Sequence, residues 1–153
     1  MSDKSLIFYS IETDFISIAC KLIEKMYAIR ENVLFLCDNE DEISFYNSKL
    51  WTFSRLGFIP CGNKKSLPIE DANFCQTWFS TDIVFHNSPT CLLHNGINIS
   101  TLNGIERFNK IIDIFSKDLI ENAKTRFEQY KSSGFKTYKL WIQNNNNWIS
   151  GEF

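Results

Sequence analysis

The sequence predicts a three-layer α/β/α fold with a mostly parallel central sheet, and three observations carry that reading. Leu6 to Tyr9 and Val33 to Cys37 are unbroken apolar runs, not alternating ones, as strands covered on both faces are. Each run is followed by a helix signal, apolar residues at helical spacing after the first and an acidic capping turn after the second. The chain, 153 residues with 44% hydrophobic and 22% charged, is about one domain long and rich enough in apolar side chains to fill a core. Residues 1–153 are therefore expected to form a single domain, with no repeat and no linker.

The elements follow in order. The first run, Leu6-Ile7-Phe8-Tyr9, is a buried strand. Thr13 or Asp14 caps the next helix, whose apolar positions are Phe15, Ala19, Leu22, Ile23, Met26 and Tyr27. After the strand Val33 to Cys37, the acidic run Asp38 to Glu42 suits the first turn of a helix reaching Leu50-Trp51. Gly57 to Pro68, with its Gly, Pro and Lys64-Lys65, reads as a surface loop around a short Phe58-Ile59 strand. Strands are expected again at Cys75 to Phe79 and at Cys91-Leu92-Leu93, with a turn at His86 to Pro89. Asn103 and Glu106 resemble a capping box, which predicts a helix burying Phe108, Ile111, Ile112 and Phe115. A further helix runs from Lys117 to Ser133 and stops at Gly134. Tyr138 to Ile142 is a late strand, followed by a polar turn at Asn144 to Asn147 and then Trp148-Ile149.

Several kinds of chemistry are missing. None of the six glycines forms G-x-G-x-x-G or G-x-x-x-x-G-K-[ST], and the turn after the first strand, Ser10-Ile11-Glu12-Thr13, offers a branched side chain and an anion where a phosphate would sit. Glu12 and Asp14 suit a helix N-terminus better than a metal pair. Cys91 and His94 have ligand-like spacing without the second pair that structural zinc requires. The five cysteines show no Cys-x-x-Cys pair, and their odd number fits reduced cytosol. No cofactor, metal or nucleophile–base set is expected, hence no intrinsic enzymatic activity. No apolar run reaches membrane-span length, and Met1-Ser2-Asp3-Lys4 does not open a signal peptide, so the chain is expected in the cytoplasm. With a formal net charge of −2 it lacks the basic surplus of a protein that grips DNA alone, so any contact with DNA is expected to be indirect.

The last long helix carries the one suggestive pattern. Leu119, Ile120, Ala123, Phe127 and Tyr130 form an apolar stripe, with Lys117, Lys124 and Lys131 along one edge and Arg126 along the other. A docked helix with lysines reaching into water produces the same pattern. A basic and apolar groove for a short acidic peptide with an apolar end is the functional alternative.

Motifs spread along the chain bear on that choice. Leu50-Trp51-Thr52-Phe53 followed by Gly57-Phe58-Ile59-Pro60, and the block from Gly104 to Phe135 with Glu106-Arg107-Phe108, Ile111 to Phe115 and Ala123-Lys124-Thr125-Arg126-Phe127, resemble the chi subunit family of bacterial DNA polymerase III, as do the closing Trp141, Gln143 and Trp148. The resemblance implies a Rossmann-like outline without a phosphate loop and without catalysis. It implies an accessory subunit of the clamp-loader complex that binds the acidic, Phe-ending C-terminal tail of single-stranded DNA-binding protein. Carried onto this chain, the tail site is Lys124, Phe127 and Trp51, with Ile120 and Lys117 beside them. A second surface, Phe58 and Pro60, is implied for the psi subunit or another clamp-loader component, or for a helicase. Two positions depart from the family pattern: Lys124 replaces an Arg, and Cys61 follows Pro60 where the family has His. The competing functions are an interaction module of a DNA-repair helicase and a small α/β enzyme.

Overall fold

In the computed structural model, which describes residues 4–53 and 58–153, the elements run β1 (Ser5–Ile11), α1 (Phe15–Ala28), β2 (Val33–Leu36), α2 (Glu40–Phe53), β3 (Cys61–Asn63), β4 (Thr77–Ser80), β5 (Cys91–Asn95), β6 (Lys110–Ser116), α3 (Ile120–Ser132), β7 (Lys139–Asn144) and β8 (Asn147–Gly151). The residues Met1 to Asp3, and Gly57 at the start of the expected loop, lie outside the described residues. The strands form one sheet in the order β3-β4-β2-β5-β6-β1-β7-β8. Every pairing is parallel except the β7–β8 hairpin.

Strand alternation sorts the core into two layers. Val33, Phe35, Cys91, Leu93, Ile112 and Ile114 face α1 and α2. Leu34, Leu36, Leu92, Ile111, Phe115, Leu6 and Phe8 face the opposite side, where α3 contributes Ala123 and Tyr130. The sheet is thus buried on both faces, as the unbroken apolar runs require.

Helix ends follow local chemistry. At α2, the Asn39 side-chain carbonyl accepts the Glu42 N–H at 2.9 Å while the Glu42 carboxylate accepts the Asp38 N–H at 2.8 Å. At the end of α3, Gly134 takes φ 97°, and the Phe135 N–H donates to the Tyr130 carbonyl, turning Phe135 into the core.

Two expectations are corrected. Residues 108–115 are not a helix: Gly104 opens a single 3-10 turn, Ile105–Arg107, and Lys110–Ser116 is the strand between β5 and β1. The spacing of Phe108, Ile111, Ile112 and Phe115 imitates a helical face, but Ile112 and Ile114 are equally buried on the other side. A helix would expose Ile114, whereas a central strand buries both sides. The second correction shifts the Phe58-Ile59 strand to Cys61–Asn63, leaving Phe58 exposed and Ile59 buried.

A polar network is sealed between β6 and α3. Asp113, wholly buried, accepts two hydrogen bonds from Arg126, at 2.7 Å from Nε and 2.8 Å from Nη2. The Tyr130 hydroxyl donates to the same carboxylate at 2.8 Å and lies 2.7 Å from His94 Nε2. The backbone N–H of Ile97 donates to His94 Nδ1 at 3.0 Å. That bond fixes the tautomer: Nδ1 is the acceptor, so Nε2 carries the hydrogen and donates to Tyr130. Burial lowers the His94 pKa from 6.5 to about 4, against the raising influence of Asp113. Burial lowers that of Arg126 too, but the hydrogen bonds and charge of Asp113 outweigh it and the net shift is upward.

The neutral His94 has a pH consequence. Between pH 6.5 and about 4 the unfolded chain takes up a proton at His94 that the folded chain refuses. Its contribution to stability is complete above pH 6.5 and is lost as the pH falls toward 4, by roughly 3 kcal/mol in all. Urea unfolding at several pH values is expected to show this slope, and His94→Asn to flatten it while lowering stability at neutral pH. Equal slopes for parent and variant refute the assignment.

Candidate partner-binding surfaces

Docking through Ala123, Arg126 and Tyr130 sets the rotation of α3 and therefore which residues meet solvent. Arg126, expected along an edge of the stripe, lies at the centre of the buried face, and Leu119, expected within the stripe, is exposed. Lys124 is half-buried at the flank, its ammonium 3.3 Å from Glu121. Ile120 and Phe127 pack at the margin of the core. The Phe127 ring meets Tyr138 edge-on at 4.5 Å, and the Lys131 ammonium sits 4.5 Å above its face. Lys117 lies in the 3-10 turn ahead of α3 and reaches back to Glu12 at 3.0 Å.

Beside Phe127 opens a cavity of about 570 Å³ lined also by Lys136, Tyr138 and Lys139. Among the described residues, neither Lys136 nor Lys139 forms an ion pair, unlike Lys117, Lys124 and Lys131. The cavity combines aromatic walls with two cations and one acid, Glu152. Sequence reasoning missed Lys136, Tyr138 and Lys139 because they follow the Gly134 stop, where no periodicity marks a face.

The structure does not bring Trp51 to this surface. Trp51 is on α2, which packs on the other side of the sheet from α3. Its ring instead meets Phe58 edge-on at 4.5 Å, and both are more than half exposed, at 57% and 52%. Trp51 thus belongs with the second pair of residues, Phe58 and Pro60. The Pro60 carbonyl accepts the N–H groups of Gln76 and Thr77, which fixes the chain just after Phe58. Pro60 also rims a cavity of about 180 Å³ with Tyr27 and the strongly exposed Phe74.

The turn after β1, where related architectures hold a phosphate, is already satisfied from within. Gln143 Oε1 on β7 accepts the N–H groups of Glu12 and Thr13 at 2.7 and 3.1 Å, and also the Thr13 hydroxyl. Glu12 is paired with Lys117, and Asp14 accepts from Ser17, so neither acid is poised for a metal. Cys91 and His94 belong to opposite faces of β5 by strand alternation and do not converge. Among the described residues no group of three or more His, Cys, Asp and Glu side chains is placed to hold a metal ion. No helix among them is long and apolar enough to cross a membrane.

All five cysteines are buried and unpaired. Burial raises every thiol, with Cys20 and Cys61 pushed up to about 12 and Cys37, Cys75 and Cys91 also displaced upward. Such thiols are poor nucleophiles at neutral pH.

A family profile described as DNA polymerase III chi subunit, HolC, matches residues 4–138. No curated protein matched the chain.

The thiol environments predict slow chemistry. With a colorimetric disulfide reagent at pH 8, the native protein is expected to react at least about a hundredfold more slowly than free cysteine, with all five thiols titrating in denaturant. One rapidly reacting native thiol overturns that picture.

Proposed function

Because the chain belongs to the DNA polymerase III chi subunit family, whose members are accessory subunits of that polymerase, we propose that it ties the clamp-loader complex to single-stranded DNA-binding protein by holding that protein's acidic C-terminal tail, without catalysis of its own. The observation that carries this reading is the cavity beside Phe127, where Lys136 and Lys139 outnumber the one acid, Glu152, without an ion pair among the described residues, and Tyr138 offers an aromatic wall. A short peptide with carboxylates and a terminal Phe matches it in charge and in apolarity. Lys124 and Lys131 extend the positive field along α3, with Ile120 and Lys117 farther toward its start.

The clamp-loader partner, a psi subunit or a helicase in its place, is assigned in this reading to the Trp51–Phe58 pair and Pro60. Two exposed aromatic rings in mutual contact are the kind of anchor that dominates binding energy at small interfaces. The role places the protein in the cytoplasm and gives it DNA only through its partners.

Titration with a peptide ending in acidic residues and Phe tests the first surface. A dissociation constant of about micromolar order is expected, weakening as salt rises. Lys124→Glu and Lys136→Glu are each expected to weaken binding by about tenfold or more, while Trp51→Ala leaves it unchanged, since Trp51 lies across the sheet. Undiminished binding by both charge reversals shows that the tail docks elsewhere.

The second surface is separable. Phe58→Ala is expected to keep the melting temperature and the tail affinity, and to abolish co-purification of the clamp-loader or helicase partner. A variant that retains the partner at full strength reduces Phe58 to an ordinary surface residue.

A further inference from the structure

On the side of the sheet that carries α1 and α2, the covering is incomplete. α1 lies against β6 and α2 against β3 and β4. A helix about 10 Å across covers roughly two strands spaced about 4.8 Å apart. Among the described residues, no helix packs extensively on β7 or β8, the last two strands beyond β1, on this side. On the opposite side β7 is covered, with Leu140 and Ile142 packed in the core beneath α3 and Phe153.

The bare strip is not polar. Tyr9 on β1 pairs in register with Trp141 on β7, and Trp148 on β8 meets the Tyr9 ring edge-on at 5.4 Å. These three rings floor an open groove of about 500 Å³ whose wall is α1, through Leu22, Lys21 and Lys25. Trp148 is exposed, at 38%. Lys21 and Lys25 stand one helical turn apart, and neither forms an ion pair among the described residues. Trp148, with Trp141, also lies outside the span matched to the chi family, which ends at residue 138.

We propose that this groove seats an amphipathic helix from a partner protein, lying beside α1 over β7 and β8, with its apolar face on Tyr9, Trp141 and Trp148 and its acidic flank against Lys21 and Lys25. Width and charge both point to that occupant. The uncovered strip is two strands broad, the footprint of one helix, and a helix there extends the layer beyond α1. Carboxylates spaced three or four residues apart on the partner face the two lysines, which have the same spacing. Glu24, on the same wall, calls for one basic or polar residue on the partner between those acids. Trp141 borders both this groove and the Phe127 cavity, whereas Trp148, Leu22, Lys21 and Lys25 line the groove alone. The proposal therefore holds or fails independently of tail binding.

Site-specific photocrosslinking in the native cells tests it. A benzophenone amino acid is placed at Lys25, and as a control at Glu128, which is exposed on α3. Crosslinked peptides are then sequenced by mass spectrometry. The expected product at Lys25, absent at Glu128, is a partner segment with helical apolar spacing and acidic residues on one flank. That crosslink is expected to fall at least tenfold when Lys21→Glu is added, while melting temperature and acidic-tail affinity stay at parental values. Trp148→Ala is expected to lower it as well, and Lys21→Arg to preserve it. Crosslinks only to a second copy of this chain, only to nucleic acid, or to a partner segment without the acidic helical pattern overturn the proposal. A crosslink indifferent to Lys21→Glu, or no crosslink above the control, does the same.

Discussion

The buried carboxylate of Asp113 constrains more of this molecule than any other single group. It lies on β6, between β5 and β1 near the middle of the sheet, with none of its surface open to water. An isolated anion there costs several kcal/mol in desolvation, so the fold is tenable only if a cation and further donors reach it. Arg126 supplies both arms of its guanidinium and Tyr130 its hydroxyl, and both come from α3. A planar two-armed contact tolerates little rotation, so α3 can dock in one orientation about its own axis. The half-burial of Lys124 and of Phe127 and the position of Lys131 over the Phe127 ring all descend from that orientation. The proposed tail site is thus arranged from beneath, by a charge pair that no partner touches.

The same residue explains where the sequence was readable and where it was not. β1, α1, β2 and α2 were legible because each has a single unambiguous pattern: an unbroken apolar run for the strands, a helical period for α1 and an acidic cap for α2. Residues 108–115 satisfy both patterns at once. Read as a helix, they place Asp113 on a solvated face, where an acid needs no explanation. Read as a central strand, they bury it, which is sensible only when Arg126 is known to arrive from thirteen residues downstream. That pairing is a tertiary fact with no local signature. The exposed edge assigned to Arg126 failed for the same reason.

The surfaces show a second kind of limit. Lys124 and Phe127 were legible because both sit on one helix with a readable period. Trp51 was joined to them through family resemblance, yet linear sequence does not say on which side of a sheet a helix packs. α1 and α2 lie on one side and α3 on the other, so the sheet separates Trp51 from Phe127. Lys136, Tyr138 and Lys139 went unseen because the cavity they line is built where a loop and a strand meet the end of α3. No periodicity within any one element encodes that meeting.

The separation has a mechanical meaning for an adaptor. Two ligands on one face compete for area and for the same side-chain conformers, whereas two ligands on opposite faces of a packed sheet share neither. The proposed tail site and the Trp51–Phe58 surface are divided by eight hydrogen-bonded strands with filled cores on both sides. Close-packed interiors resist small displacements, so occupation of one surface leaves the other unchanged unless α3 itself turns. The Asp113–Arg126 pair opposes that turn. In the proposed role, such a design favours simultaneous, independent binding over switching. Lys124 fits this logic in a small way. Its ion pair with Glu121 is exposed and three residues away on the same helix, a contact worth little in water. An incoming carboxylate therefore displaces Glu121 at small cost, and the helix that presents the lysine has no need to move.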